Sequence, residues 1–169
     1  GQPLVCIGWG GYGQVTVRLD DRATAEAATR HLIGLGHRRI GFIGHVSDYE
    51  YAAPDERAHL KFDGFRNFID GYRKALSEAG IAEEKHLIEH VVSTYSQQEA
   101  VHWAIRRLMH LDKRPTAVFC HTDFAASHVL DALREFGCRV PEDVAVVSFD
   151  YMGLGSFVTP KLTSMSVPR

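Results

Sequence analysis

Polar side chains follow two apolar segments of the sequence, and their oxygen atoms could bind the hydroxyl groups of a small molecule. The segment His121–Asp123 follows the apolar run 116–120, and Asp150 follows the apolar run 144–149. Runs that are apolar on successive residues are typical of parallel strands covered by helices on both faces. Because ligands of such sheets bind outside the carboxyl ends of the strands, the two polar segments predict a binding site. A carboxylate that ends an apolar strand favours a ligand role for Asp150.

Asp123 has two interpretations, and the sequence leaves both open. The residue precedes a helical pattern that starts at Phe124, where an aspartate side chain can cap the helix. It also lies at the end of a predicted strand, where its carboxylate could face the ligand. One side chain could serve both roles.

A glycine-rich segment, Gly8–Gly13, matches the pattern G-x-G-x-x-G after a predicted strand. A dinucleotide-binding loop needs a helix to begin at the third glycine, so that its amide groups face the pyrophosphate. Residues 14–19 instead alternate like a strand, and no acidic residue lies at the usual offset of about 20 positions. We interpret the segment as a flexible connection, in which Trp9 either stacks on a ligand or packs against its neighbours.

The spacing of the histidines and of the possible nucleophiles gives little support for a metal site or a catalytic site. Of the ten histidines, His86 and His90 are four positions apart on a predicted strand, a spacing that separates them by about 13 Å. No H-E-x-x-H pattern and no G-x-S-x-G nucleophile pattern occur. We therefore expect no metal ion, no cofactor and no enzymatic activity.

Composition indicates an ordinary globular chain of 169 residues, with a formal net charge of −2 and 45% hydrophobic residues. The chain has no dense Lys/Arg run and no stretch of about 18 apolar residues, so we expect neither a nucleic-acid footprint nor a membrane span within it.

The first ten residues lack the features of a signal peptide. Three cysteines without a C-x-x-C pattern indicate reduced thiols in the cytoplasm, packed as small apolar side chains. The abrupt start in an apolar strand indicates a fragment of a longer protein.

Strand and helix patterns alternate along the chain, which predicts an α/β fold with a parallel sheet flanked by helices. The core sheet is expected to use strands at 39–44, 87–92, 116–120 and 144–149. Two further strands near the start of the chain and a short alternating run, 162–167, could pair with each other and form part of a second lobe. The segment 45–57 is polar and contains Pro54, so we predict a mobile loop there.

Five segments, in order, resemble the effector-binding domain of LacI/GalR-family transcription regulators. They are ATRHLIGLGHRRIGFIG (28–44), DGFRNFIDGYRKALSEAGI (63–81), RPTAVFCHTDFAA (114–126), GCRVPEDVAVVSFD (137–150) and TPKLTSM (159–165). The most specific pieces are G-H-R-R-I-x-F-I-G and R-V-P-E-D-V-A-V-V-x-F-D. Together the segments cover most of the chain.

The resemblance implies a type I periplasmic-binding-protein-like fold, in which two lobes close on a ligand. Residues 1–19 would be crossover strands of the N-terminal lobe, 20–150 the C-terminal effector-binding lobe, and 151–169 the return crossover. The function implied is a ligand-responsive repressor that binds a small polar effector, most simply a sugar, between its lobes. Operator DNA would be bound only through a helix-turn-helix headpiece that this chain lacks. The alternative is a transport-type periplasmic sugar-binding protein of the same fold.

Family pocket positions transfer to this chain with two departures. Lys61 stands where the family usually has an arginine, and lysine lacks the planar fork that grips two hydroxyls. Thr122 and Asp123 stand where the family often has Asn-Asp, so the aspartate is kept and the amide is lost. Tyr95 matches the aromatic residue that stacks on the ligand, and Asp150 matches the aspartate that ends the next strand. The predicted ligand-binding residues are Trp9, Lys61, Tyr95, Thr122, Asp123 and Asp150.

Two further expectations concern neighbours of this site. Lys61 and Arg57 could contact an anionic or hydroxylated ligand, or they could be solvated. The helix predicted at 124–136 has an apolar face wide enough for core packing and a dimer contact, and the resemblance also implies a homodimer. That face comprises Ala125, Ala126, Val129, Leu130, Leu133 and Phe136.

Overall fold

The computed structural model describes residues 5–7, 15–17, 19–46, 64–92, 97–149 and 153–166. The strands are β1 (Val5–Ile7), β2 (Val15–Val17), β3 (Ile40–Val46), β4 (Ile88–Val92), β5 (Ala117–Cys120), β6 (Ala145–Phe149) and β7 (Thr163–Met165). The helices are α1 (Asp21–Gly34), α2 (Gly64–Glu78), α3 (Gln97–Met109) and α4 (Asp123–Glu135). Short 3-10 turns occupy Lys85–Leu87 and Leu154–Ser156. No helix among the described residues is both long and apolar enough to cross a bilayer.

Some predicted segments lie outside the described residues. They are the glycine-rich segment Gly8–Gly13, Arg57 and all of the predicted loop 45–57 beyond Val46. The interpretations of these segments stay predictions.

The main sheet has five parallel strands in the order β4-β3-β5-β6-β7, while β1 and β2 form a separate parallel pair. The chain passes from β3 to β4 in one direction across the sheet, and from β5 to β6 and β7 in the other. The strand order therefore reverses between β3 and β5, which is the position where open α/β sheets bind ligands. The predicted α/β class with a parallel sheet flanked by helices is confirmed.

The pairing of the last strand corrects one expectation. The sequence allowed the alternating run near the end of the chain to pair with the first two strands, but Thr163–Met165 pairs in parallel with β6. A hydrogen bond from the Leu162 amide to the Gly155 carbonyl, 3.1 Å long, helps return the chain to the sheet. Three alternating residues indicate which face of a strand is buried. They do not indicate which strand is the partner or in what register the two strands pair.

Strands of the main sheet are apolar on both faces because each face has its own core. Along β5, Ala117 and Phe119 pack into the core beneath α1 and α2, whereas Val118 and Cys120 pack into the core beneath α3 and α4. All four side chains are fully buried. This division explains why successive apolar residues, rather than alternating ones, marked the strand in the sequence.

Helices α1 and α2 are in close contact at Gly71. A methyl group on Gly71 would overlap the Arg22 carbonyl oxygen of α1 and lie 2.9 Å from the Ala25 Cβ. Around this contact, the Glu26 carboxylate accepts hydrogen bonds from Lys74 and Arg30, each at 2.8 Å. The glycine thus sets the distance between the two helices, and the ion pairs border the contact.

Several contacts at the amino-terminal end of the sheet are made by residues of the segments that carry the family resemblance. His37 Nδ1 lies 2.9 Å from the Thr116 hydroxyl, and Arg39 donates to carbonyl oxygens of the loop before β5. In the turn before β6, the backbone and guanidinium groups of Arg139 donate three hydrogen bonds to Asp143, between 2.8 and 3.0 Å. These contacts fix where strands begin, at the end of the sheet opposite the predicted binding site.

Candidate functional site

The carboxyl end of β5 lies at the point where the strand order reverses. The His121 amide donates to the Ile43 carbonyl of β3 at 2.9 Å, so the polar segment begins beside the neighbouring strand. The buried His121 ring makes an edge contact with Phe68 of α2, with ring centroids 4.5 Å apart. Strands β3 and β5 and helix α2 therefore converge at the start of the polar segment.

Thr122 caps helix α4. Its hydroxyl oxygen accepts a hydrogen bond from the Ala125 amide at 3.0 Å, and its backbone is extended. The prediction that Asp123 is the cap is therefore wrong, since Asp123 is the first helical residue and the helix begins one position earlier than Phe124. Threonine can cap the helix because its hydroxyl oxygen accepts from the Ala125 amide, as the side chain of an aspartate at position 122 would. Thr122 is half-buried, and its hydroxyl hydrogen is not used by the capping bond.

Asp123 is buried beneath the strand ends, with an exposed fraction of 1%. One carboxylate oxygen, Oδ1, accepts hydrogen bonds from the Ser148 hydroxyl of β6 at 2.7 Å and from the Ser164 hydroxyl of β7 at 2.6 Å. Among the described residues, the second oxygen has no hydrogen-bond partner. Asp123 lies in the first turn of α4, where the helix dipole stabilises a negatively charged carboxylate. The predicted contact of Asp123 with a ligand stays a prediction.

Ser148 and Ser164 donate to the Asp123 carboxylate, and neither was predicted from the sequence to lie at the candidate site. Ser148 is fully buried within an otherwise apolar strand. A lone hydroxyl in such a strand needs a buried partner, because an unsatisfied polar group in a core is costly. The polar Ser148 within the apolar run 144–149 could have indicated a buried hydrogen bond, but the sequence does not show that Asp123 is its partner. Ser164 carried no comparable sign, since its strand partner was not predicted.

Cys120 ends β5 directly before the polar segment and is fully buried. Burial raises the pKa of its thiol, and the nearby negative charge of Asp123 raises it further. The thiol therefore stays protonated and packs as an apolar group, as expected from the sequence.

Four predicted ligand-binding residues lie outside the described residues. They are Trp9, Lys61, Tyr95 and Asp150. The described strands end shortly before two of them in the sequence, since β4 ends at Val92 and β6 ends at Phe149. The ligand roles of all four stay predictions. In the part of the chain that the structure describes, no three His, Cys, Asp or Glu side chains form a group that could hold a metal ion.

Helix α4 uses most of its apolar face inside the chain. Of the apolar residues predicted to serve both core and dimer contacts, only Phe136 is exposed, and the other five are buried. Outside this core, a concavity of about 360 Å³ lies on α3 and is lined by Gln98, Glu99, His102, Trp103 and Arg106. Trp103 is 64% exposed there. Helix α3 and the C-terminal cap of α4 therefore each carry a large apolar side chain that is exposed.

Comparison with known proteins shows that the chain is similar to a domain family and to parts of transcription regulators. Residues 29–169 match the family model described as periplasmic binding protein-like domain. The chain is 28% identical to the HTH-type transcriptional repressor PurR of Photobacterium profundum, over 99% of this chain and 46% of that protein. It is 34% identical to the HTH-type transcriptional repressor CytR of Escherichia coli (strain K12), over 91% of this chain and 40% of that protein. The chain thus spans less than half the length of these relatives.

A solved structure has the same fold. A sugar-binding transcriptional regulator of the LacI family from Escherichia coli, complexed with phosphate, aligns with a TM-score of 0.73 and 26% identity. The alignment covers 88% of this chain and 48% of that one. The predicted resemblance to LacI/GalR-family effector-binding domains is thereby confirmed, and the relatives PurR and CytR are repressors rather than enzymes.

Proposed function

Because the chain belongs to the periplasmic binding protein-like domain family, we propose that it is the effector-binding part of a ligand-responsive transcriptional repressor. The observation that carries this proposal is the position of the segment His121–Asp123, at the reversal of strand order between β3 and β5. The effector is a small polar molecule, and a sugar is favoured because a similar regulator is described as sugar-binding. The repressor acts in the cytoplasm, and its helix-turn-helix part binds operator DNA.

The predicted site residues supply the chemistry that a sugar requires. Asp150 accepts hydrogen bonds from sugar hydroxyls, the Thr122 hydroxyl donates one, and Lys61 adds a positive donor. Tyr95 and Trp9 offer aromatic faces for the apolar face of a sugar ring. With residues 1–19 and 151–169 as crossovers to a second lobe, an effector that binds the closed arrangement more tightly shifts the population towards it and so alters affinity for DNA.

Thermal unfolding with a panel of compounds tests this function. The panel contains free sugars, sugar phosphates and nucleobases. We expect a sugar to raise the melting temperature of the chain, and Asp150→Ala to abolish that rise while leaving the unliganded melting temperature nearly unchanged. Asp112→Ala is the matched control, because Asp112 is exposed at the amino-terminal end of the sheet. A full rise in the Asp150 variant contradicts the site, and no rise with any compound in the wild type contradicts the function.

The proposed repressor is a homodimer that pairs through the outer surface of α3 and α4. Trp103 of α3, Phe124 of α4 and Phe136 at the C-terminal cap of α4 are exposed. Glu99 and Arg106 of α3 are seven positions apart, which is about two helical turns on one face. If α3 packs antiparallel against α3 of a second copy, each Glu99 lies opposite the partner's Arg106, with Trp103 near the two-fold axis.

Sedimentation over a range of concentrations tests this dimer. We expect Trp103→Glu to weaken self-association by about tenfold or more, because buried tryptophans are frequent hot spots at interfaces. Phe157→Glu is the control, since Phe157 is 87% exposed but lies outside α3 and α4. Equal weakening by both substitutions, or none by Trp103→Glu, contradicts the proposed surface.

The alternative function is a transport-type periplasmic sugar-binding protein. It would share the fold and the sugar site, but it would act as a monomer outside the cytoplasm. Similarity to proteins named as repressors favours the regulator. A chain that binds a sugar and stays monomeric at all concentrations would instead favour the transport protein.

A further inference from the structure

We propose that Asp123 is a positioning residue of the effector site, which holds β6 and β7 against the start of α4 while other residues contact the effector. The effector part of this inference rests on the proposed function. In this role, Asp123 acts on the effector indirectly, in place of the direct contact predicted from the sequence.

Burial and hydrogen bonding separate Asp123 from its neighbour Thr122. Asp123 is 1% exposed, and its Oδ1 atom already receives two hydroxyl donors from two different strands, while Oδ2 is buried as well. Thr122 is half-buried, and its capping bond leaves the hydroxyl hydrogen unused. An incoming sugar can therefore reach Thr122, whereas a bond to Asp123 would require access to an enclosed oxygen.

The two serine contacts link the start of α4 to two neighbouring strands of the sheet. Ser148 lies two positions before Asp150, the predicted ligand residue that follows β6 in the sequence. Ser164 lies at the centre of β7, a three-residue strand at the edge of the sheet with β6 as its neighbour. Among the described strands, β7 pairs with β6 alone, and so short a ladder holds it weakly. The charge-assisted bond from Ser164 to Asp123 therefore adds a second attachment.

Hydrogen–deuterium exchange of the unliganded chain tests the attachment without any effector. We expect Asp123→Ala and Ser164→Ala each to speed exchange in residues 161–166 by about tenfold, while exchange in residues 40–44 stays unchanged. Ser127→Ala is the matched control, because the Ser127 hydroxyl donates within α4, to the Phe124 carbonyl at 2.7 Å. Unchanged exchange at 161–166, or equal acceleration in both segments, overturns the attachment.

Affinity for the compound that stabilises the wild type tests the indirect role. In the proposed arrangement, Ser148→Ala and Ser164→Ala weaken binding, and adding them to Asp123→Ala causes no further loss, because all three act through one attachment. Asp123→Asn, which keeps an oxygen able to accept both hydroxyls, restores most of the affinity. If the serine variants bind normally while Asp123→Ala does not, Asp123 contacts the effector directly and the inference is wrong. If no compound stabilises the wild type, the proposed function fails, and the exchange experiment alone decides on the attachment.

Discussion

At the scale of single residues, the turn before β6 depends on one charge pair. Arg139 donates to Asp143 through its guanidinium group and through its backbone amide, and these bonds lower the pKa of Asp143 to about 2. An aspartate with a lowered pKa in the folded chain stabilises the fold above its unfolded pKa of about 3.9, and that contribution is lost as the pH falls towards about 2. The turn is therefore a pH-sensitive part of the scaffold.

We predict that Asp143→Ala lowers the melting temperature at pH 7 by a few degrees and has little effect near pH 2. The physical reason is that the wild-type Asp143 carboxyl becomes protonated over this range and no longer stabilises the fold through its charge. Calorimetry of both chains from pH 7 to pH 2 measures the difference. Glu142→Ala is the control, because Glu142 is an exposed carboxylate in the same turn. A difference that stays constant with pH would show that Arg139 does not select the charged form of Asp143.

Residues of the proposed site differ in how far the sequence could specify them. The position of Asp123 after a strand was correct, but the order of the chain could not show that Ser148 and Ser164 surround its carboxylate. Those contacts join three elements across 25 and 41 positions of sequence. Helix capping by Thr122 was equally compatible with the pattern, since adjacent Thr and Asp are both good caps. Local chemistry was therefore readable, and partners distant in sequence were not.

At the scale of elements, the packing of α1 on α2 depends on the absence of a side chain at Gly71. We predict that Gly71→Ala lowers the free energy of unfolding by about 1–3 kcal/mol, because an added methyl group would overlap the backbone of α1. Urea denaturation measures the change. Gly34→Ala is the control at the exposed end of α1, where an added methyl group meets no atom within 4 Å. A neutral Gly71→Ala would contradict the close packing of the helices.

Elements were predictable where the pattern was long and both faces were buried. Strands β3, β4, β5 and β6 lie within about two residues of their predicted bounds, because each face of the sheet has its own core. The strand β7 was recognised as an alternating run, but its pairing with β6 was not predicted. Three residues suffice to indicate extended backbone, whereas the choice of partner depends on the turn that precedes them and on Ser164.

At the scale of the whole molecule, the two ends of the sheet have separate tasks. The amino-terminal end carries the contacts of His37, Arg39 and Arg139 that fix the strand starts. The carboxyl-terminal end carries the segment His121–Asp123 at the reversal of strand order. This separation explains why the most specific sequence patterns identified the family readily. Those patterns lie mainly in the scaffold, so they say less about which effector is bound.

The location of effector binding is tested most directly by nuclear magnetic resonance of the isotope-labelled chain. The chain is titrated with the compound that raises its melting temperature most, and shifts of the backbone amide resonances are measured. We predict the largest shifts at residues 121–123 and 148–150, which lie at or directly follow the carboxyl ends of β5 and β6. Largest shifts at Arg39, Thr116 and Arg139, or within the α3 concavity, would contradict this location.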